Sequence, residues 1–125
     1  MIAVDTSSFI AYLEGASGKD VDLLDEALKA KQVVLPPVVL TELLSDSGLS
    51  KGVTDLFKTL PVLELSEGYW ERAGTSRAAV LAKGHKARVA DALIAQSCLD
   101  HKIGLLTRDT DFKAFSVLCG LVLVR

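Results

Sequence analysis

Five short apolar runs recur along the chain: Ile2–Val4, Val33–Leu35, Val62–Leu65, Ile103–Leu106 and Leu121–Val124. Longer stretches with helical spacing separate them. Alternation of that kind predicts a parallel sheet with helices on both faces, a doubly wound α/β layer sandwich. After the first run, Ser7 or Ser8 is placed to cap a short helix through Leu13. Gly15 and Gly18 then punctuate, and Leu23, Leu24, Ala27 and Leu28 give the next helix an apolar face. "PPVVLTELLSD" opens on two prolines, which suit the start of a helix and not its interior. Further helices are expected around Val53–Leu60, Tyr69–Ala82, Val89–Asp100 and Phe112–Phe115. No repeat, linker or low-complexity segment interrupts the pattern, so one domain over residues 1–125 is expected. Half of the 125 residues are hydrophobic, enough to bury a core without disulfides or metal staples.

Several classes are disfavoured. The longest apolar runs fall well short of the ~18 residues of a membrane span, and no basic segment precedes a signal-peptide core. No membrane association is expected, and the cytoplasm is the expected address. Cys98 and Cys119 stand apart among apolar neighbours and read as small core residues, not as a zinc site or a disulfide. A net charge of −2 argues against nucleic acid, whose phosphates are normally met by lysine and arginine. That objection weakens if acids are concentrated at one spot.

Asp5 ends the first apolar run, at the seam between strand and helix, where an aspartate is often a simple cap. Asp109 follows "IGLLTR", also at a strand end. Ligands in open α/β sheets gather beyond the carboxyl ends of the strands, so both carboxylates can face one crevice. If "RVADALIAQSCLD" is helical, Asp91 shares its face with Ala87, Ile94, Ala95 and Cys98. An acid buried there needs an arginine partner, several hydrogen bonds or a metal ion. Glu42 falls beside Val38 and Val39 on its helix and reads alone as a solvated flank residue. Asp111 reads alone as the N-cap of the helix at Phe112. Together these acids, with hydroxyls on Thr6, Ser7, Thr107 and Thr110 to orient them, suit Mg²⁺ or Mn²⁺, which favour hard oxygen ligands. A divalent cation also offsets the repulsion of clustered carboxylates.

The stretches "AVDTSSFIAYL", "PPVVLTELL", "VADALIAQ" and "LLTRDTDF", in that order, resemble the PIN-domain nucleases, particularly the VapC-type toxin subunits of VapBC toxin–antitoxin pairs. The resemblance implies a PIN-like three-layer sandwich, a small parallel sheet flanked by helices, and an acidic Mg²⁺- or Mn²⁺-dependent ribonuclease site. Asp5, Glu42 and Asp91 match the family's first three acids. Asp109 and Asp111 both stand in the segment of the fourth; Asp109, nearest the strand end, is preferred, with Asp111 as a supporting ligand. Thr107 matches the hydroxyl before that acid, and Thr6 or Ser7 the polar residues after the first. The family further implies a homodimer and a cognate antitoxin that blocks the site.

On this reading Asp5, Asp91 and Asp109 hold metal, while Glu42 ligates it or orients water for phosphodiester hydrolysis. RNA would be held by Lys83, Lys86 and Arg88, with His85 between them, and by Arg108. "KGHKAR" taken alone is equally a solvated loop. Competing readings are metal-free cleavage by His85 and His101, a phosphotransferase with Asp5 as nucleophile, and a non-cleaving RNA- or protein-binding PIN module. His101 is expected instead to meet the negative end of its helix. "DTSSF" lacks the second acid found two places on in haloacid-dehalogenase-like phosphatases.

Overall fold

The computed structural model describes residues Met1–Arg125. Strand β1 (Ile2–Val4) is central in a three-stranded parallel sheet, flanked by β2 (Val33–Val34) and β3 (Leu105–Leu106). The helices are α1 (Thr6–Leu13), α2 (Lys19–Lys29), α3 (Pro37–Leu44), α4 (Lys51–Thr59), α5 (Tyr69–Ala82), α6 (Val89–His101) and α7 (Phe112–Cys119). This is the PIN-like sandwich of small parallel sheet and flanking helices. The chain leaves β1 for β2 on one side and later crosses to β3 on the other. The order therefore reverses between β1 and β3, where open α/β sheets form their crevice.

Two of the expected strands are reduced to single bridges. From Val62–Leu65 only Val62 pairs, with Leu35, and from Leu121–Val124 only Leu123 pairs, with Leu105. Both segments lie at the sheet's edges, where each has one neighbour to bond. The last one also presses on Gly104, at which a Cβ would stand 2.8 Å from Val124 Cγ2.

Two helix starts follow local chemistry. Pro37 occupies the first position of α3, where its missing N–H costs nothing. Ser50 caps α4 by accepting from Val53 N–H. Ser7 and Ser8, however, do not cap α1. Asp5 occupies the cap position in extended conformation, and neither its side chain nor a serine bonds the first-turn amides. These three side chains serve the tertiary structure instead. Helix α7 runs a full turn beyond the expected Phe115 before Gly120, at φ 83°, ends it in the left-handed conformation.

The core joins the sheet to α1, α3, α4, α6 and α7 through Phe9, Phe57, Phe112, Phe115, Leu35 and Ile94, all essentially inaccessible. Phe9 meets Phe57 edge to face with centroids 5.3 Å apart. Each such ring contributes about 1.5–3 kcal/mol by burial, and Phe9→Ala would cost about 3–5 kcal/mol. Helix α6 is covered on most sides, with Asp91, Ala92, Ile94, Ala95, Ser97 and Cys98 all buried. An acid on the first turn of this helix is thus carried into the interior. Cys98 and Cys119 are free thiols, and burial pushes the Cys98 thiol up to about 12. No helix is long and apolar enough to cross a membrane.

Candidate metal centre

The register Val4↔Leu106 sets Asp5 and Thr107 side by side, one residue beyond their strands. Asp5 N–H donates to Leu106 O at 2.9 Å, and Thr107 Oγ1 donates to Asp5 Oδ2 at 2.8 Å. Ser7 Oγ, one helical step away, donates to the same oxygen at 2.7 Å and lies 3.3 Å from Thr107 Oγ1. Asp5 is buried, and these hydroxyls fix its carboxylate. Thr6 turns the other way and donates to Glu42 Oε1 at 2.8 Å, which joins α3 to the same strand end. Glu42 is exposed, at the rim.

Asp91, Asp109 and Asp111 converge more tightly, each offering a carboxylate oxygen within 4.8 Å of the others. Asp91 is buried, and the other two are half-buried. The loop after β3 shapes this group. Asp109 N–H donates to Thr107 Oγ1 at 3.0 Å, and Asp109 Oδ1 accepts from Asp111 N–H at 2.9 Å. Asp111 stands at the cap position of α7, yet its side chain caps nothing. It faces Lys86 Nζ at 3.9 Å instead. Both aspartates of "TRDTDF" therefore belong to the cluster. Asp5 and Glu42 flank it outside the 4.8 Å group.

The arginine partner that would explain a buried Asp91 is absent, since no cation lies within ion-pair distance of it. Its Oδ2 is buried with no hydrogen-bond partner at all. Burial first, then the charges of Asp109 and Asp5, push its carboxyl up to about 6, against a smaller opposing pull from Arg88. A buried unmet carboxylate oxygen among acids fits a hard cation, which would satisfy the lone pairs and offset the charge. The residues present fit such an ion.

Among the expected RNA-binding residues, Lys83, Lys86 and Arg88 are exposed on the turn before α6. Arg108 is differently employed: its Nε and Nη2 each lie 2.9 Å from an Asp20 oxygen, and Nη2 also donates to Ser17 O. Asp20 accepts in addition from the buried Ser8 at 2.8 Å, and the Arg108 guanidinium holds its carboxyl down to about 2. This clamp pins the loop carrying Thr107 and Asp109 to the start of α2. Gly18 makes room for it: at φ 150°, a Cβ there would stand 2.6 Å from Asp20 Oδ1 and 2.9 Å from Arg108 Nη2. Asp20 was not singled out in the sequence, and no local pattern marks a pair so far apart. His101 Nε2 lies 2.7 Å from the Glu64 carbonyl oxygen, away from the acids. The largest cavity, about 670 Å³, is lined by Tyr12, Leu28, Val33, Leu56 and Leu60 among others, and by none of the site acids.

A parallel α/β sheet with acids gathered beyond its switch point places its candidate site in the crevice where open α/β folds bind ligands. The chain belongs to the PIN domain family, whose profile matches residues 2–118. Members of that family are typically nucleases. The fold is similar to that of a chain in the crystal structure of FitAcB from Neisseria gonorrhoeae, with TM-score 0.71, 19% identity, and coverage of 100% of this chain and 97% of that one. A chain of FitAB bound to an IR36 DNA fragment gives TM-score 0.74 and 18% identity, covering 99% and 94%. VapBC-5, a VapBC-family toxin–antitoxin system from Mycobacterium tuberculosis, gives 0.67 and 20%, covering 99% and 97%. At these identities the likeness is one of fold. No curated protein matches the chain by sequence.

Proposed function

We propose that this protein is a divalent-cation-dependent endoribonuclease, the toxin of a type II toxin–antitoxin pair, acting in the cytoplasm as a homodimer of single-domain chains. The observation that carries the catalytic part is Asp91 Oδ2, buried and unbonded beside Asp109 and Asp111. The reading of partner rests on the PIN family and on neighbours that are FitAB and VapBC systems.

Asp91, Asp109 and Asp111 would hold Mg²⁺ or Mn²⁺, with Asp5 beside them. Such an ion supplies Lewis-acid stabilisation of charge developing on a phosphodiester and makes water a better nucleophile. The chain's own groups do the rest. Ser7 and Thr107 orient Asp5 by donating to one of its oxygens. Thr6 fixes Glu42 through Oε1, and Glu42 would ligate the ion or orient water. Lys83, Lys86 and Arg88 would meet backbone phosphates outside the acidic pocket. The Asp20–Arg108 clamp positions the Asp109 loop.

Incubating the purified protein with total RNA plus Mg²⁺, Mn²⁺ or chelator, then mapping the cut ends, tests the reading. Cleavage dependent on metal and leaving 5′-phosphates supports it. Cyclic or 3′-phosphate ends would point to histidine-assisted attack, and binding without cleavage to a non-cleaving PIN module.

A further inference from the structure

We propose that Lys113, with the two hollows it separates, forms the track along which the sugar–phosphate backbone of a single-stranded nucleic acid crosses the acid cluster. The inference deepens the nuclease reading above and rests on it for the direction of the strand relative to the acids. Two cavities, of about 270 and 230 Å³, open on either side of Thr110 and Lys113, which line both. Asp111 borders the first and Asp109 the second, so the ridge between them lies against the proposed cleavage point. Each hollow carries further positive groups: Lys86 in the first, Arg108 and Arg125 in the second. In a chain of net charge −2, this is a local concentration of positive groups flanking a negative one.

The state of these cations supports the assignment. Of the positive groups that line the hollows, Arg108 is held by Asp20 and Arg125 has no ion-pair partner. Lys113 is exposed and has no ion-pair partner, and Lys86 has only the distant contact to Asp111. A flexible ammonium free of partners, beside acids that would repel a phosphate, is suited to meet backbone charge on its way past them. The hollows also offer apolar surface for a ribose or base edge, Ala114 and Val117 in one and Leu123 and Val124 in the other. Val117 is 83% exposed at the start of the groove, where no core packing accounts for it. The recognised chemistry is the phosphodiester backbone, common to RNA and single-stranded DNA.

The test is fluorescence anisotropy in excess chelator, where nothing is cut, with labelled single-stranded RNA of about 12 nucleotides and DNA of the same sequence. Wild type, Lys113→Ala, Lys113→Arg and, as a remote control, Lys58→Ala are titrated between about 50 and 200 mM salt. Lys113→Ala is expected to weaken binding about fivefold and to reduce the salt slope by about 0.7, one single-strand phosphate contact. Lys113→Arg should retain most of the affinity, and Lys58→Ala all of it. Equal losses on RNA and DNA assign the contact to phosphate alone; a loss confined to RNA adds the 2′-hydroxyl. Unchanged affinity and slope in Lys113→Ala overturn the track, as does failure of wild type to bind either strand while a polyglutamate peptide binds. Cleavage with Mn²⁺ on the same samples separates the two readings. Lys113-dependent binding without cleavage keeps the track and removes the nuclease; cleavage by Lys113→Ala with wild-type kcat and KM does the reverse.

Discussion

Arg108 and Asp20 meet side on, two guanidinium nitrogens each 2.9 Å from a carboxylate oxygen, across 88 residues of chain. The fork geometry makes this a bidentate, charge-assisted pair. Its role is to hold the β3–α7 loop, and with it Thr107 and Asp109, against α2. Asp20→Ala is expected to lower stability by about 1–2 kcal/mol and metal-dependent cleavage by roughly tenfold, through displacement of Asp109. Thermal melts and initial rates on the same preparation check both effects. Since the folded carboxyl sits at about 2, below its ordinary 3.8, the pair's contribution is complete above about pH 4 and is lost as pH falls through 2. Melts from pH 5 to 2 should show wild type losing this increment and Asp20→Ala lacking it.

Asp91 predicts the opposite pH trend. Its folded carboxyl is raised to about 6, so the uncharged acid stabilises the metal-free fold fully below pH 3.8, and that contribution is lost as pH rises through 6. The loss amounts to roughly 1–3 kcal/mol. Asp91→Asn should remove this dependence and leave the chelated protein at pH 8 as stable as wild type or more so. The Mn²⁺-induced rise in Tm should shrink in the variant, because one ligand is gone. A large destabilisation in chelator with an undiminished Mn²⁺ shift would take Asp91 out of the site.

The hydrogen bonds around Asp5 predict a graded series. Asp5→Asn and Asp91→Asn should abolish metal-dependent cleavage. Thr107→Ala removes one of two hydroxyl donors on Asp5 Oδ2 and the acceptor of Asp109 N–H, and should cost about 10–100-fold in activity. Ser7→Ala removes the other donor and a 3.4 Å contact from Arg108 N–H but leaves Asp109 N–H bonded to Thr107, and should cost less. Undiminished cleavage by Asp5→Asn, or by wild type in excess chelator, would end the metal-nuclease assignment.

Neutralising Lys86 and Arg88 together should weaken RNA binding broadly and flatten its dependence on salt, since fewer counterions are released. Turnover of bound RNA should change less than affinity. Removing Lys86 also strips Asp111 of its nearest cation, so metal affinity should rise slightly. Filter binding at several salt concentrations and calorimetric Mn²⁺ titration read the two effects separately.

The parts of this architecture legible in the sequence are those fixed by local periodicity. Ile2–Val4, Tyr69–Ala82 and the apolar face around Asp91 follow from spacing alone. Val62–Leu65 and Leu121–Val124 have the composition of strands, yet extended pairing depends on neighbours, and each finds one bridge. Ser7 and Ser8 have the chemistry of caps, but their hydroxyls go to Asp5 and Asp20, a competition invisible along the chain. Arg108 was legible as a cation near the acids; that Asp20 holds it was not, because ion pairs carry no period. Asp91 is the most informative position, since its helical neighbours alone imply burial and the structure leaves its oxygen unmatched.

Strand β1 begins the chain and lies in the middle of the sheet, while its second neighbour, β3, is not reached until Leu105. During synthesis β1 can pair with β2 early, but its other edge stays open until Leu105 and Leu106 have been made. Asp5 then has no Thr107, and Asp91 has neither Asp109 nor Asp111. Pairing across such a separation is slow, because the intervening loop must close before any contact rewards it. The acid cluster is therefore assembled late: a nascent chain that stops short of Asp111 lacks part of it, and the three carboxylates meet only once the β3–α7 loop has been made.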